Sequence, residues 1–330
     1  MSKIISLPHK LCEATCYVNG LEDLLASREG NYIDFLLSVI GGMASFTYLK
    51  IKRAHPPYMV YWSTNPKYLL RNLGKIVGFT QVIMEGKSFK TTFSKIKEAI
   101  NMDKPVMAGA LDMYYLHYYP NIYRKHHIPI HYVLVVGYDD KKKRIFVHDC
   151  SRTDVEEIPY IEFEKSLNVK VPGMSNKNTI RVFELPMNIP SEFEVAKKGF
   201  IFKAQQMLTP PVKLFGIPAM YKVADEIVSW DNEDCFKHLI TYATTPPQIP
   251  ITFKHSDGMR FAQADVLENL GNKYKVDEWT KASKSFRKSG ELIIETCKAA
   301  LLQNSKRCSK LITQIADIEE KAYRLLEKIT

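Results

Sequence analysis

His131-Tyr132-Val133-Leu134-Val135-Val136-Gly137-Tyr138-Asp139-Asp140-Lys141-Lys142-Lys143-Arg144-Ile145-Phe146-Val147-His148-Asp149 decides the fold of the first half of the chain. Two β-rich apolar runs, residues 130–138 and 144–148, flank a charged five-residue turn, and so short a connection pairs them as an antiparallel hairpin. His131 opens one run and Asp149 follows the other, and the mean of their positions, 140, falls inside the turn. A hairpin centred there sets the two side chains opposite one another on one face, with Cβ atoms roughly 4.5–5.5 Å apart. An imidazole so placed donates one ring N–H to the carboxylate. That contact fixes its tautomer, leaves the second nitrogen as a base, and stabilises the imidazolium formed by proton transfer. Without a nucleophile the pair reads as an ordinary polar contact on a solvated hairpin.

Working outward, a nucleophile is available upstream. Ala14, Tyr17, Val18, Leu21, Leu24 and Leu25 recur at spacings of three and four, which predicts an amphipathic helix over about 11–26. Cys12 and Cys16 fall opposite that stripe. A thiol in the first turn of a helix feels the positive end of the macrodipole, and a neighbouring imidazolium favours the thiolate further. With a helix starting near Leu11, Cys12 occupies that turn and is the expected nucleophile, with Cys16 one turn deeper. As two isolated cysteines they would read simply as small hydrophobes. Cysteine on an early helix, then histidine and aspartate on a later hairpin, is the chain order of papain-like enzymes.

The rest of the sequence alternates and then turns helical. Residues 92–101 predict a helix, 106–111 a strand and 179–185 a last strand before Pro186 and Pro190. Helical patterns follow at 200–207 and 218–229. In the tail, Leu311, Ile315, Ile318, Ala322, Leu325 and Ile329 repeat in heptad fashion, facing Trp279, Phe286, Ile293, Cys297 and Ala300 in a helical hairpin. The expected fold class is α+β: a papain-like cysteine-protease fold over 1–188 and a mostly α-helical C-terminal domain over 189–330.

Composition narrows the partners. With 45% hydrophobic and 25% charged residues over 330 positions, the chain is globular. The charge-free stretch 35–49 is shorter than the roughly 20 residues that span a bilayer, so no membrane association is expected. Six cysteines without CxxC or zinc-finger spacing predict free thiols, no metal and no cofactor in a reducing compartment. No leader pattern opens the chain, and the expected location is the cytoplasm. The net charge of +10 (46 Lys+Arg against 36 Asp+Glu) is spread along the sequence, with one tight run at 141–144; it fits an acidic protein or anionic carrier better than nucleic acid.

The sequence also resembles a known family, that of butirosin biosynthesis protein H, whose members join a papain-like domain to a helical one. The likeness rests on His9-Lys10-Leu11-Cys12-Glu13-Ala14-Thr15, Ile40-Gly41-Gly42-Met43-Ala44-Ser45-Phe46-Thr47-Tyr48, Leu111-Asp112-Met113-Tyr114-Tyr115-Leu116 and residues 131–139, in that order, with Gly258 and Arg260 in the second domain. It implies an acyl-transfer triad at Cys12, His131 and Asp149. It further implies that the thiolate takes an acyl group from an acyl carrier protein or other thioester donor and passes it to an amine-containing small molecule as an amide. Papain-like peptidases carry a glutamine a few residues before the cysteine to stabilise the oxyanion. Residues 6–11 contain none, so His9 or a backbone N–H at Cys12 is the expected donor. Tyr114, Tyr115 and Tyr118, just upstream of His131, are expected to line the acceptor cleft. Two other readings stay open: a peptidase or amidase in which water takes the acyl group, and a binding protein that keeps the fold without catalysis. The oligomeric state is open too, a homo-oligomer included.

Overall fold

The computed structural model describes residues 2–11, 15–86, 88–244 and 255–329. The order begins β1 (Ser2–Ile4), α1 (Cys16–Ala26), α2 (Leu36–Gly41), β2 (Met43–Lys50), β3 (Tyr58–Ser63), α3 (Pro66–Val77) and β4 (Thr80–Glu85). It continues through α4 (Phe89–Asn101), β5 (Val106–Leu111), β6 (His131–Asp139), β7 (Arg144–His148), β8 (Glu156–Pro159), α5 (Tyr160–Leu167) and β9 (Thr179–Glu184). From there the described elements are helical: α6 (Glu192–Leu208), α7 (Gly216–Glu226), α8 (Glu233–Thr241), α9 (Arg260–Tyr274), α10 (Asp277–Leu301) and α11 (Ser305–Glu327). The protein is thus mixed α and β, with an antiparallel sheet and a helical C-terminal region.

Two compact units form, and neither is continuous: Met1–Asn31 joins Val77–Pro190, and Tyr32–Ile76 joins Ser191–Thr330. The single boundary expected near 188 lies beside the last of these crossings, but residues 32–76 go with the later helices. Their composition explains it. The β2–β3 ribbon buries Phe46, Tyr48, Val60 and Trp62, and a two-stranded ribbon cannot cover such side chains by itself. It packs on α7 and α8, while α2 packs on α6 and α9.

In the first unit the sheet order is β4-β9-β5-β6-β7-β8, with β1 pairing the far end of β6, all antiparallel. β5 is central and buried throughout, and its sequence is accordingly apolar at every position rather than alternating. One sheet face carries Ala108, Val133, Val135, Val147 and Ile180, packed against Ile96 and Ile100 of α4 and Phe163 and Leu167 of α5. Helix α1 covers the other face. Gly20 permits this, since a Cβ there would sit 2.9 Å from the Leu134 side chain.

The second unit is held by the α10–α11 hairpin and by α6, which begins with a reciprocal cap between Ser191 and Glu194. All five α10 residues expected in the seam are buried. On α11 the stripe is shifted from the expected one: Cys308, Ile312, Ile315, Glu319, Ala322 and Leu326 are buried, whereas positions 311, 318 and 325 are only partly so. A glutamate in the seam hides the pattern from a hydrophobicity count. Glu319 is admissible there because Arg260 meets it with two bonds, Nε to Oε1 at 2.8 Å and Nη2 to Oε2 at 3.1 Å.

Candidate active site

Helix α1 begins at Cys16. Thr15 is extended, and its Oγ1 accepts the Tyr17 N–H at 3.3 Å, a side-chain cap that sets the helix start. The expected start at Leu11 is therefore about one turn too early, and the cysteine in the first turn is Cys16. Cys12 lies outside the described residues.

On the sheet, His131 opens β6 and Asp149 follows β7. The two meet: His131 Nε2 donates to both carboxylate oxygens, at 2.9 and 2.8 Å, with both residues buried. Their relation is diagonal rather than directly opposite. Leu134 pairs with His148 and Val135 with Val147, but Gly137 pairs with Phe146, so a bulge at Val136 displaces the register. Continued past the strand end, this register sets Asp149 across from Val133, on the same face as His131. The face was right because alternation has period two, and a diagonal neighbour is within reach of long side chains.

Asp149 is held from three sides. Besides His131 it accepts the hydroxyl of Tyr118 at 2.8 Å and that of Tyr119 at 2.8 Å, and Tyr119 also contacts Ser151 Oγ at 2.8 Å. Burial would push this carboxyl up, but the His131 charge and these hydrogen bonds hold it at about 2. Burial likewise works against the imidazolium, yet the charges and hydrogen bonds of Asp149 and Cys16 push His131 up to about 10. With Nε2 occupied by Asp149, Nδ1 is the nitrogen left for the thiol. Cys16 Sγ also approaches the Ile130 carbonyl at 3.9 Å.

A second polar row lies behind the first. Asp23, deep in α1, accepts His9 Nδ1 and His148 Nδ1 on one oxygen, both at 2.8 Å, and the Lys10 N–H on the other at 3.0 Å. His9 Nε2 donates to the Arg152 carbonyl at 2.7 Å. Both His9 nitrogens face acceptors, so the ring is an imidazolium. Burial opposes that charge, but the Asp23 bond and charge outweigh it and raise the His9 pKa. With both nitrogens engaged, His9 has no donor left for an oxyanion; it clamps residues 9–10 to α1 and to the loop after Asp149.

The tyrosines divide. Tyr118, expected in the acceptor cleft, is buried and spends its hydroxyl on Asp149. Tyr114 stacks on His127 with ring centroids 4.1 Å apart, and Tyr114 and Tyr115 both face the Arg124 guanidinium. Among the described residues, His9, Asp23 and His148, and separately His131, Asp149 and Cys150, bring potential metal-ligand atoms within 4.8 Å of one another. Hydrogen bonds already account for the first trio and for the His131–Asp149 pair, and we assign a metal to neither group.

An antiparallel sheet that carries a buried histidine–aspartate pair, followed by a helical C-terminal region, defines the class: a mixed α/β protein. Residues 15–150 match the family described as Butirosin biosynthesis protein H, N-terminal. The match opens at Thr15, the cap of α1, and closes at Cys150, next to Asp149. No curated protein matches the chain. No helix of the described residues is long and apolar enough to cross a membrane.

Sequence reasoning placed Cys16 one turn into the helix rather than at its start, and it missed Asp23 and His148. Thr15 was the available signal for the first, as a capping residue directly before a cysteine. Asp23 and His148 come together across 125 positions, with no local signature.

Proposed function

We propose that the first unit is a papain-like acyltransferase domain in which Cys16, rather than Cys12, is the nucleophile, His131 the acid–base group and Asp149 its orienting carboxylate. The observation that carries this reading is that buried His131 gives Nε2 to Asp149 and that Cys16, at the start of α1, interacts with the same imidazole. The family's name places its members in butirosin biosynthesis, which supports a biosynthetic enzyme making an amide for a specialised metabolite.

In the first half-reaction the Cys16 sulfur attacks the carbonyl of an acyl thioester, carried by a carrier protein or a small thiol. The tetrahedral intermediate expels the donor thiolate, which takes the proton from His131. In the second, an amine attacks the Cys16 thioester while His131 removes its proton, and the Cys16 thiolate leaves as the amide forms. The Cys16 backbone N–H, at the start of α1, is the candidate donor to the oxyanion. Tyr114 and Tyr115 remain candidates for acceptor contact, and Tyr118 becomes a positioning residue for Asp149.

Intact-mass measurement after incubation with simple acyl thioesters tests the first half, and subsequent addition of amines tests the second. One acyl group on Cys16, released as amide, is the expected result. Release only as free acid would replace the acceptor by water, and the absence of any adduct would leave a non-catalytic domain.

A further inference from the structure

Arg181 is 3% exposed, in the middle of β9, between Ile83 of β4 and Met107 of β5. Its neighbours Ile180 and Val182 point into the core beneath α4 and α5, so Arg181 points to the face covered by α1. Tyr132 points the same way, because Val133 beside it belongs to that core and Leu134 touches α1 at Gly20. The guanidinium lies 5.3 Å from the Tyr132 ring centroid, and Nη1 donates to the Gly109 carbonyl at 3.4 Å. Gly109, at φ +153°, makes the arrangement feasible: a Cβ there would fall 2.5 Å from the Tyr132 ring.

Among the described residues no carboxylate pairs with Arg181. The contrast with Arg260 is instructive, since that equally buried guanidinium has both its Nε and Nη2 on Glu319. A buried cation without a counter-charge is costly, and a fold that retains one invites a partner from outside. Two hydroxyls stand beside it. The Tyr132 hydroxyl lies beside Arg181 and Ser175, both of which favour its ionised form, and Ser175 Oγ accepts the Ala110 N–H at 3.2 Å. The connection to the nucleophile is direct: the Tyr17 ring packs edge-on against Tyr132 at 4.7 Å, and Cys16 and Tyr17 both reach the Ile130 carbonyl.

The geometry points to an anion subsite formed by Arg181, Tyr132 and Ser175 beside Cys16, which selects acyl donors bearing a carboxylate or a phosphate. It rests on Cys16 as the nucleophile. A guanidinium flanked by hydroxyls suits the planar or trigonal oxygens of either group. The carboxylate would belong to the acyl chain, and the phosphate to the arm that carries the thioester.

Rates of Cys16 acylation, read by intact mass, separate the two sources. Succinyl and butyryl thioesters of N-acetylcysteamine differ in the acyl carboxylate; butyryl-phosphopantetheine and butyryl-pantetheine differ in the phosphate. The charged member of at least one pair is expected to react about tenfold faster or more, and Arg181→Gln is expected to abolish that ratio. A wild type with no preference in either pair, or a preference that Arg181→Gln leaves intact, overturns the subsite. Where Arg181→Gln does not fold, Arg181→Lys replaces it. It keeps the charge but loses the planar fork, and should cut the ratio at least about threefold; an unchanged ratio has the same negative meaning.

A second readout does not depend on acylation. Succinate or inorganic phosphate should raise the melting temperature of the Cys16→Ala protein, and adding the Arg181 substitution should remove the shift. If no donor acylates the wild type but this Arg181-dependent shift is present, the acyltransferase reading fails and the anion subsite stands. If acylation and shift are both absent, both fail.

Discussion

Each unit buries charge, and the two do so differently. In the second, Arg260 bonds Glu319 twice and also donates to the carbonyls of Ser45, Trp62 and Gly258, while Ser289 donates to Glu319. Lys203 there meets three acceptors, the carbonyls of Val39 and Met43 and Gln263 Oε1, one for each ammonium proton. Every one of these charges is saturated by fixed partners, and the result is cohesion. In the first unit Asp149 is equally saturated, but beside it lies a cysteine, and Arg181 has the Gly109 carbonyl and Tyr132 but no carboxylate among the described residues. A buried charge whose partners are complete stabilises packing; one whose partners are incomplete is available to a ligand or a reacting atom.

The sharpest way to break this contrast is Cys16→Ala. It should abolish the acyl adduct and lower turnover by at least about 10³-fold, whereas Cys12→Ala should retain the adduct. An adduct surviving in Cys16→Ala and lost in Cys12→Ala would move the nucleophile to the position that sequence reasoning favoured. Next, Asp149→Asn should lower turnover by about 10³- to 10⁴-fold in a protein that still folds, because an amide neither fixes the tautomer nor offsets the imidazolium charge. In the second unit the loss appears as stability instead. Arg260→Met leaves Glu319 buried and unpaired and should cost about 3–5 kcal/mol in urea unfolding, while adding Glu319→Leu should recover much of it. If the double variant is no better than the single, the pair does more than neutralise itself.

Smaller effects sharpen the description of the first unit. Tyr118→Phe removes one hydrogen bond to a charged carboxylate, worth about 1.5–3 kcal/mol, and should slow turnover about tenfold without changing the adduct formed. The pH dependence of stability, measured as the difference between wild type and Asp149→Asn, has a defined window. Asp149 falls from 3.8 to about 2 on folding, so its contribution is present above about pH 4 and fades as pH drops through 2. His131 rises from 6.5 to about 10, so its contribution is complete below about pH 6.5 and fades as pH climbs through 10. The difference should therefore be largest between about pH 4 and 6.5, and a flat difference would mean that the pair is not ionised as described.

Local pattern made much of this architecture legible in sequence. Strands 106–111 and 144–148 have the expected limits, and His131 and Asp149 share a face as alternation requires. What escaped was non-local or locally contradictory. The bulge at Val136 has no composition signal, the cap at Thr15 was outweighed by an apolar stripe that continues upstream, and Glu319 interrupts the very stripe it belongs to. The exchange of residues 32–76 into the later helices depends on partners more than a hundred positions away.

That exchange has a consequence for synthesis on the ribosome. The ribbon of residues 43–63 is made long before α7, α8 and α11 exist, and about 250 residues separate its completion from that of α11. At about 5–20 residues per second, Phe46 and Trp62 stay without their final cover for roughly 10–50 s. The nascent chain should accordingly be open to proteases across 36–63 when stalled at residue 190 and protected there once the chain is complete. Equal protection at both lengths would mean that the ribbon finds an interim partner.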